Sequence, residues 1–385
     1  MAPRFDFTVT HRAGAARRGE MRTAHGVVQT PAFMPVGTQG AVKGVLPRDL
    51  HELGAEIILA NTYHLSLRPG DERIARLGGL HAFSGWDRAI LTDSGGFQAF
   101  SLGDRRTIDE AGVRFRSHLD GTPYCLTPES AAEIQARLGS DIAMVLDECL
   151  GFPATREDAA ASMERTLRWA RRARARFLEL SDGADGTMTT PGQAQFGIVQ
   201  GSVYDDLRAV SAEATVAIGF EAYAIGGLSV GEPVDRMHEM VASTAPLLPD
   251  DRPRYLMGTG TPLDLVEAVA SGVDLFDCVL PTRNARNGQL FTAAGKVNIK
   301  NAVHADDPGP VEAGCQCYTC RHFSRAYLRH LHLAGEIASA TLNTLHNLWF
   351  YLDSMRRIRE ALVFGSFDRL RQDVRQVYAS RPPDS

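Results

Sequence analysis

The chain of 385 residues contains no uncharged apolar run near the roughly 18 residues that a membrane-spanning helix needs. Its first residues, Met1-Ala2-Pro3-Arg4-Phe5-Asp6, lack the basic stretch and apolar core of an export signal. Together these absences predict a soluble, cytoplasmic protein with no membrane partner. General positive charge is missing too. With 41 Lys and Arg against 46 Asp and Glu the formal charge is -5, which excludes a nucleic-acid coat and restricts any RNA contact to a local patch. Cysteine is scarce: there are 6, and three of them crowd into the segment 315–320. That distribution argues against a disulfide framework and for a metal held in a reducing compartment. No Gly-x-Gly-x-x-Gly fingerprint stands at a strand-to-helix turn, so a redox dinucleotide is not indicated. Short-period repeats and low-complexity tracts are absent as well.

What is present is an apolar fraction of 44%, enough for a large core, and a regular alternation of two patterns. Short apolar runs ending in Gly, Pro or Asp are followed by longer segments of helical period, as in a parallel sheet wrapped by helices. Strands are predicted at Glu56 to Ala60, Ala89 to Leu91, Asp141 to Leu146, Gln195 to Val199, Ala222 to Ile225, Arg254 to Met257 and Asp274 to Phe276. Helices are predicted at Ala159 to Leu178 and Thr261 to Ala270. The units number nearly eight, which predicts an α/β fold of the (β/α)8 TIM-barrel type. Residues 1–385 are then one domain, with a short N-terminal β extension over about 35 residues and a zinc-binding insertion at about 301–350. The segment Ser181 to Gln193 reads as a surface loop without chemistry, and Tyr378 to Ser385 as a frayed end.

The residues that follow the strands carry the chemistry: Asp93-Ser94-Gly95-Gly96-Phe97-Gln98, Asp147-Glu148-Cys149, Gln200-Gly201, Gly226-Gly227-Leu228, Met257-Gly258-Thr259-Gly260 and Asp277-Cys278. Taken singly, an Asp or Gly there is equally a turn former or a helix cap. Six in succession point elsewhere, because all strand C-termini of a barrel converge on one face, where substrate sits. Three acids beside amide and backbone groups suit recognition of a polar planar base and carboxylate chemistry at an acetal-like carbon.

Cys315-Gln316-Cys317-Tyr318-Thr319-Cys320 offers three thiolates, and one imidazole would complete the tetrahedral set of a structural zinc site, one Zn2+ per chain. His346 is the candidate fourth ligand, at the start of a helix carrying Leu348, Trp349, Leu352 and Met355, while His322, His330 and His332 also lie nearby. Buried free cysteines are the plain alternative, weakened by the reactivity of three crowded thiols without metal. Between Thr282 and Ala305 stand Arg283, Arg286, Lys296 and Lys300 and no acid, a cationic rim suited to phosphates, or else a solvated face. Arg321, Arg325 and Arg329, at spacing four, are expected to extend it along one helix face. Arg168, Arg171, Arg172 and Arg174 read instead as the solvated side of an outer barrel helix.

Several of these stretches together resemble the bacterial tRNA-guanine transglycosylases, the queuine tRNA-ribosyltransferase family. The resemblance runs through nearly the whole chain: Thr30-Pro31-Ala32-Phe33-Met34-Pro35-Val36-Gly37-Thr38, Asn61-Thr62-Tyr63-His64-Leu65, Thr92-Asp93-Ser94-Gly95-Gly96, Ser117-His118-Leu119-Asp120-Gly121, Phe276-Asp277-Cys278-Val279-Leu280-Pro281-Thr282-Arg283 and the cysteine loop. It implies a zinc-bearing barrel, working as a homodimer, that exchanges the wobble guanine of tRNAs with a GUN anticodon (Asp, Asn, His, Tyr) for 7-aminomethyl-7-deazaguanine, preQ1, in queuosine biosynthesis. It further implies that Asp277 is the nucleophile and Asp93 the general acid and base. Asp147, Gln200 and the Gly227 amide then read the guanine-like edge, the Leu228 carbonyl faces an aminomethyl group, and Phe97 and Met257 sandwich the ring. Cys149 after Asp147-Glu148, and Val230, look like the bacterial forms that accept preQ1. The chain departs from some members at Thr261, where they carry Lys, at Phe97, where they carry Tyr, and at Phe323, where they carry Trp near Tyr327 and His330 in the expected dimer contact.

Two other classes suit parts of the pattern. A retaining glycoside or nucleoside hydrolase would use the same pair of acids, but has no need of the zinc appendage. A non-catalytic zinc RNA-binding protein would leave Asp93 and Asp277 without a purpose.

Overall fold

The computed structural model describes residues 5–96, 106–183 and 187–379. An antiparallel meander opens the chain: β1 (Asp6–Ala13), β2 (Ala16–Thr23) and β3 (Gly26–Thr30). The barrel begins with β4 (Ala32–Gly37), β5 (Ile57–Asn61) and β6 (Ala89–Asp93). A small antiparallel sheet, β7 (Arg106–Ile108), β8 (Val113–Arg116) and β9 (Pro123–Leu126), is inserted there. The barrel resumes with β10 (Ile142–Met144), β11 (Ala194–Val199), β12 (Ala222–Ile225), β13 (Arg254–Leu256) and β14 (Leu275–Cys278). Each barrel strand runs parallel to the next, β6 pairs with β10, and β14 closes on β4 with Phe276 opposite Phe33.

The expected (β/α)8 barrel is thus the fold, with one correction in its count. Its first strand is Ala32–Gly37, mostly within the stretch assigned above to the preamble. Pro31 and Pro35 disguise it, because proline inside an apolar run demotes a strand reading.

The helices start where the sequence supplies caps. Thr155 accepts a hydrogen bond from the Asp158 amide at the head of the outer helix Arg156–Ser181. Thr261 forms a capping box with Asp264, and Pro262 occupies the first turn of the helix Pro262–Ala270. The departure at Thr261 therefore has a local purpose. Most arginines of the outer helix are paired rather than merely solvated, Arg168 with Glu110, Arg172 with Glu129, Arg174 with Glu221 and Arg176 with Glu133, while Arg171 is exposed as expected.

The meander closes the N-terminal end of the barrel. Arg17 on β2 makes a fully buried pair with Asp274, which precedes β14, at 2.9 and 2.5 Å. His25, in the turn after β2, reaches Asp141, which precedes β10, at 2.9 Å.

Past the barrel come the hairpin β15 (Gln289–Thr292) and β16 (Gly295–Asn298), then helices Tyr318–His322, Arg325–Leu333, Ile337–Val363 and Phe367–Tyr378. A separate small core of Leu290, Ile299, Val311, Leu328, Leu331 and Leu342 lies there. Three expectations change. Arg321 sits on a different helix from Arg325 and Arg329, because the chain breaks at Phe323 and Ser324 where Ser324 caps the next helix. Tyr378 ends an ordered helix and donates to the Thr292 carbonyl at 2.6 Å, so it is not frayed. The segment after Ser181 packs inward at its far end, where the buried Gln193 donates to the Ser140 carbonyl at 2.7 Å.

Candidate active site and metal centre

The catalytic-type acids stand where sheet geometry puts them, at or just beyond the C-terminal ends of β6, β10 and β14. Asp93 closes β6. Its Oδ2 accepts from the Asn61 amide at 2.6 Å, and its Oδ1 from the backbone N–H of Thr62 and of Gly95, both at 3.1 Å. Burial pushes its carboxyl up to about 7 against the hydrogen bond from Thr62, and the negative charge of Asp277 adds to the rise. Asp277, on β14, accepts from the Tyr255 hydroxyl at 2.6 Å and from the Gly258 amide at 2.7 Å. Burial raises its carboxyl as well. None of these partners is a cation. Both acids are held by neutral donors, which leaves their charge available to a reacting centre.

Asp147, beyond β10, accepts from the Gln200 side-chain amide at 2.6 Å, and burial pushes it up to about 6. Glycine lets the neighbouring loops close on this pair. A Cβ on Gly96 would stand 2.8 Å from the Asp147 carbonyl oxygen, and one on Gly227, whose φ is +66°, would collide with Gln200 Oε1. Leu228 is buried beside them, Met257 is half-buried at the end of β13, and Cys149 is buried with its thiol pushed up to about 12 by desolvation. Phe97 lies outside the described residues.

Four further residues belong to this face although the sequence reading gave them no role: Asn61, Tyr255, Arg208 and Glu232. Asn61 lies in a quoted motif and also caps the helix Thr62–Leu67 by accepting from the His64 amide at 3.0 Å. Tyr255 gives no local signal, because all three residues of β13 are buried and no alternation marks the inward one. Glu232 accepts from the backbone N–H of Ser229 and of Val230, fixing the loop after β12. Arg208 is fully buried beneath that loop.

Arg283 and Arg286 lie on the helix Leu280–Arg286 that follows Asp277, and Lys296 lies on β16 with Lys300 just beyond. All four are exposed. Nearby, Phe323 stacks on Tyr327 at 5.5 Å, and Tyr318 and Tyr327 are exposed.

The cysteine loop chooses its histidine. His346 Nδ1 stands 3.9, 3.5 and 3.3 Å from the sulfurs of Cys315, Cys317 and Cys320. A tetrahedral ion with Zn–S of about 2.3 Å and Zn–N of about 2.0 Å requires edges of about 3.5 Å between them. The four ligand atoms thus fit a metal ion, and His346 Nε2 pairs with the Phe291 carbonyl at 2.8 Å, which orients the ring. His346 sits inside the helix Ile337–Val363 rather than at its start, because the helix runs for two turns before it under the cysteine loop. The next residue, Asn347, donates to the carbonyls of Pro281 and Gln289, so the helix that carries the candidate ligand also holds the segment after Asp277.

His25, His81 and Asp141 also approach one another at the opposite end of the barrel. Their geometry opposes a shared ion. The two imidazoles stack 3.5 Å apart, 16° from parallel, so their in-plane lone pairs run side by side and each meets a different oxygen of Asp141.

An eight-stranded barrel with acids and amides gathered at the C-terminal ends of its strands, and three cysteines and a histidine grouped so that they could hold a metal ion, defines a TIM-barrel protein with a candidate metal centre. The family follows from comparison. The family model for queuine tRNA-ribosyltransferase matches residues 12–380. The chain is similar to the queuine tRNA-ribosyltransferase of Syntrophobacter fumaroxidans, 55% identical over 380 residues that cover 98% of this chain and 99% of that protein. It is similar to that of Aromatoleum aromaticum, 56% identical over 362 residues covering 94% and 95%. The Zymomonas mobilis protein is 52% identical over 379 residues covering 98% and 97%. The chain belongs to the queuine tRNA-ribosyltransferase family.

Proposed function

We propose that this protein is a tRNA-guanine transglycosylase that exchanges the wobble guanine of GUN-anticodon tRNAs for preQ1, in queuosine biosynthesis. The observation that carries the mechanism is the pair Asp277 and Asp93, close enough for the charge of one to raise the other, and held only by neutral donors.

Ionised Asp277 attacks the ribose C1′ while the C1′–N9 bond breaks, and the departing guanine takes a proton from Asp93. The tRNA is left as an ester on Asp277. Incoming preQ1 gives its N9 proton to Asp93 and displaces Asp277 from C1′. Two displacements at opposite faces restore the original configuration. Asp147 accepts from the N–H donors of the base, Gln200 and the Gly227 amide donate to its exocyclic oxygen, and the Leu228 carbonyl meets the aminomethyl group. Met257 and Phe97 enclose the ring, with Cys149 as a neutral wall of the pocket. Arg283, Arg286, Lys296 and Lys300 meet tRNA phosphates at the rim. Cys315, Cys317, Cys320 and His346 hold one Zn2+, which crosslinks the loop and takes no part in the exchange.

The chain is read as one domain with a zinc-binding subdomain at about 301–350. The exposed aromatic patch around Tyr327 favours a homodimer, and a tRNA substrate places the work in the cytoplasm.

Labelled preQ1 offered with a GUN-anticodon tRNA, beside a control tRNA lacking that guanine, tests the central claim. Label retained only in the first tRNA is expected. Release of free guanine without incorporation would make the protein a hydrolase, and tRNA binding with neither event would make it a binding protein. Metal analysis should give one zinc per chain, and its absence from freshly purified protein would remove that assignment.

A further inference from the structure

Among the described residues Arg208 is a buried cation to which no carboxylate is hydrogen-bonded. It rises from the first turns of the helix Asp205–Ile218 and is 0% exposed. Its Nε donates to the Ser202 carbonyl at 2.6 Å and its Nη2 to the Gly226 carbonyl at 3.0 Å, while Nη1 has no hydrogen-bond partner. Desolvating a guanidinium for two backbone carbonyls is costly, and a neutral core residue would avoid that cost. The loops it joins are the ones that follow β11 and β12, which form the wall of the base pocket.

Those loops are unusual in backbone as well. Among the described residues the non-glycine residues of positive φ are Ser202, at 50°, and Ser229, at 60°. Such conformations persist where neighbours enforce them. Arg208 holds the carbonyl of Ser202, and Glu232 holds the amide of Ser229. Gly201 lies against the Arg208 backbone and stem, where a Cβ would approach its nitrogen to 2.8 Å.

We propose that Arg208 is a positioning residue that aims the Gly227 amide at the exocyclic oxygen of the bound base. The Gly226 carbonyl and the Gly227 N–H belong to one peptide plane, in which they point in opposite directions. By drawing that carbonyl back toward the helix, Arg208 turns the N–H forward, toward the Asp147 and Cys149 side of the pocket. The same fork holds Ser202, so the Gln200 loop and the Gly227 loop keep a fixed separation around Asp147. The inference rests on the guanine-like substrate proposed above.

The test compares guanine with 6-thioguanine, which keeps the N1–H and 2-amino donors but replaces the oxygen with a weakly accepting sulfur, by calorimetric titration of the wild type, Arg208→Met and Arg208→Lys. Wild type should bind guanine the more tightly, and Arg208→Met should shrink that ratio about tenfold, the effect of one misaligned hydrogen bond to the oxygen. Arg208→Lys, which keeps charge but not the two-pronged geometry, should shrink it too and serves alone if the methionine variant fails to fold. General loosening would weaken both ligands alike, so an unchanged ratio in a folded variant overturns the positioning role. A wild type that binds both bases equally, or neither, would instead overturn the reading of the pocket.

Discussion

The two ends of the barrel both carry aspartates next to strand termini, and they treat them in opposite ways. At the N-terminal end Asp274 is matched with Arg17, and Asp141 accepts from His25, His81 and two backbone amides, those of His25 and Ile90. Asp141 is held well below the ordinary carboxylate range despite burial, by its bonds to His25 and His81. At the C-terminal end Asp147 is buried and Asp93 and Asp277 are half-buried, and all three have only neutral donors; burial raises them, as it also raises Asp274 against the pull of Arg17. The residue type is the same, and each stands at or close to a strand terminus. What differs is the cover: the meander brings Arg17 and the His25 turn to one end, and the loops at the other end bring amides and a tyrosine. An acid matched to a partner closes a fold, whereas one left unmatched has charge to offer a substrate.

The widest separation between the two ends should come from Asp277→Asn. Removing a nucleophile should lower exchange by more than about 10³-fold, with circular dichroism unchanged and no denaturant-resistant tRNA adduct. An adduct at wild-type level would move the nucleophile elsewhere. Arg17→Met should do the reverse. It leaves Asp274 buried and uncompensated, a loss of about 3–5 kcal/mol in urea unfolding, while the folded fraction keeps its exchange rate. Adding Asp274→Leu should recover most of the loss. If Arg17→Met lowered turnover as strongly as stability, the ends would not be independent.

This contrast was only half legible in the sequence. Asp93, Asp147 and Asp277 stood out because each follows an apolar run and precedes glycine or a polar residue, a signal local in the chain. Asp141 and Asp274 were read merely as first residues of strands, because their partners Arg17 and His25 lie more than a hundred positions away. The strand Ala32–Gly37 was hidden by its prolines. The cysteine spacing announced a metal site, while the choice of His346 over His322, His330 and His332 depended on how a long helix lies under the loop. Tyr255 and Arg208 sit on elements with no local pattern to mark them. Their partners, Asp277 and the Gly226 carbonyl, are set by which strands are neighbours and by how a helix faces a loop.

Smaller effects should appear as opposite pH dependences of stability. Asp93 has a folded pKa of about 7, above its ordinary 3.8. Between those values the folded protein keeps a proton that the unfolded chain has lost, so stability falls as pH rises through that window. Asp93→Asn should therefore be more stable than wild type at about pH 8, by something on the order of 2 kcal/mol, with the gain fading toward pH 4. For Asp141 the sign reverses. Its folded pKa is depressed, so its contribution is complete above the ordinary value and is lost as pH falls through the folded one. Asp141→Asn should be the less stable protein at neutral pH, with the difference closing in acid. A stabilised Asp141→Asn would mean that the imidazoles do not compensate its burial.

His25 offers the finest probe. The hydrogen bond to Asp141 raises its pKa from 6.5, with the charges of Asp141 and Asp87 adding and burial opposing. A raised histidine contributes stability that is fully present below the unfolded value and is lost as pH rises through the folded one. Its ring is 30% exposed, so solvent screening should hold the effect to a few tenths of a kcal/mol. The loss on His25→Gln should then be larger at about pH 5 than at about pH 9 in urea unfolding. A pH-independent loss would mean that His25 stays neutral and only donates a hydrogen bond, leaving Asp141 matched by His81 and backbone amides.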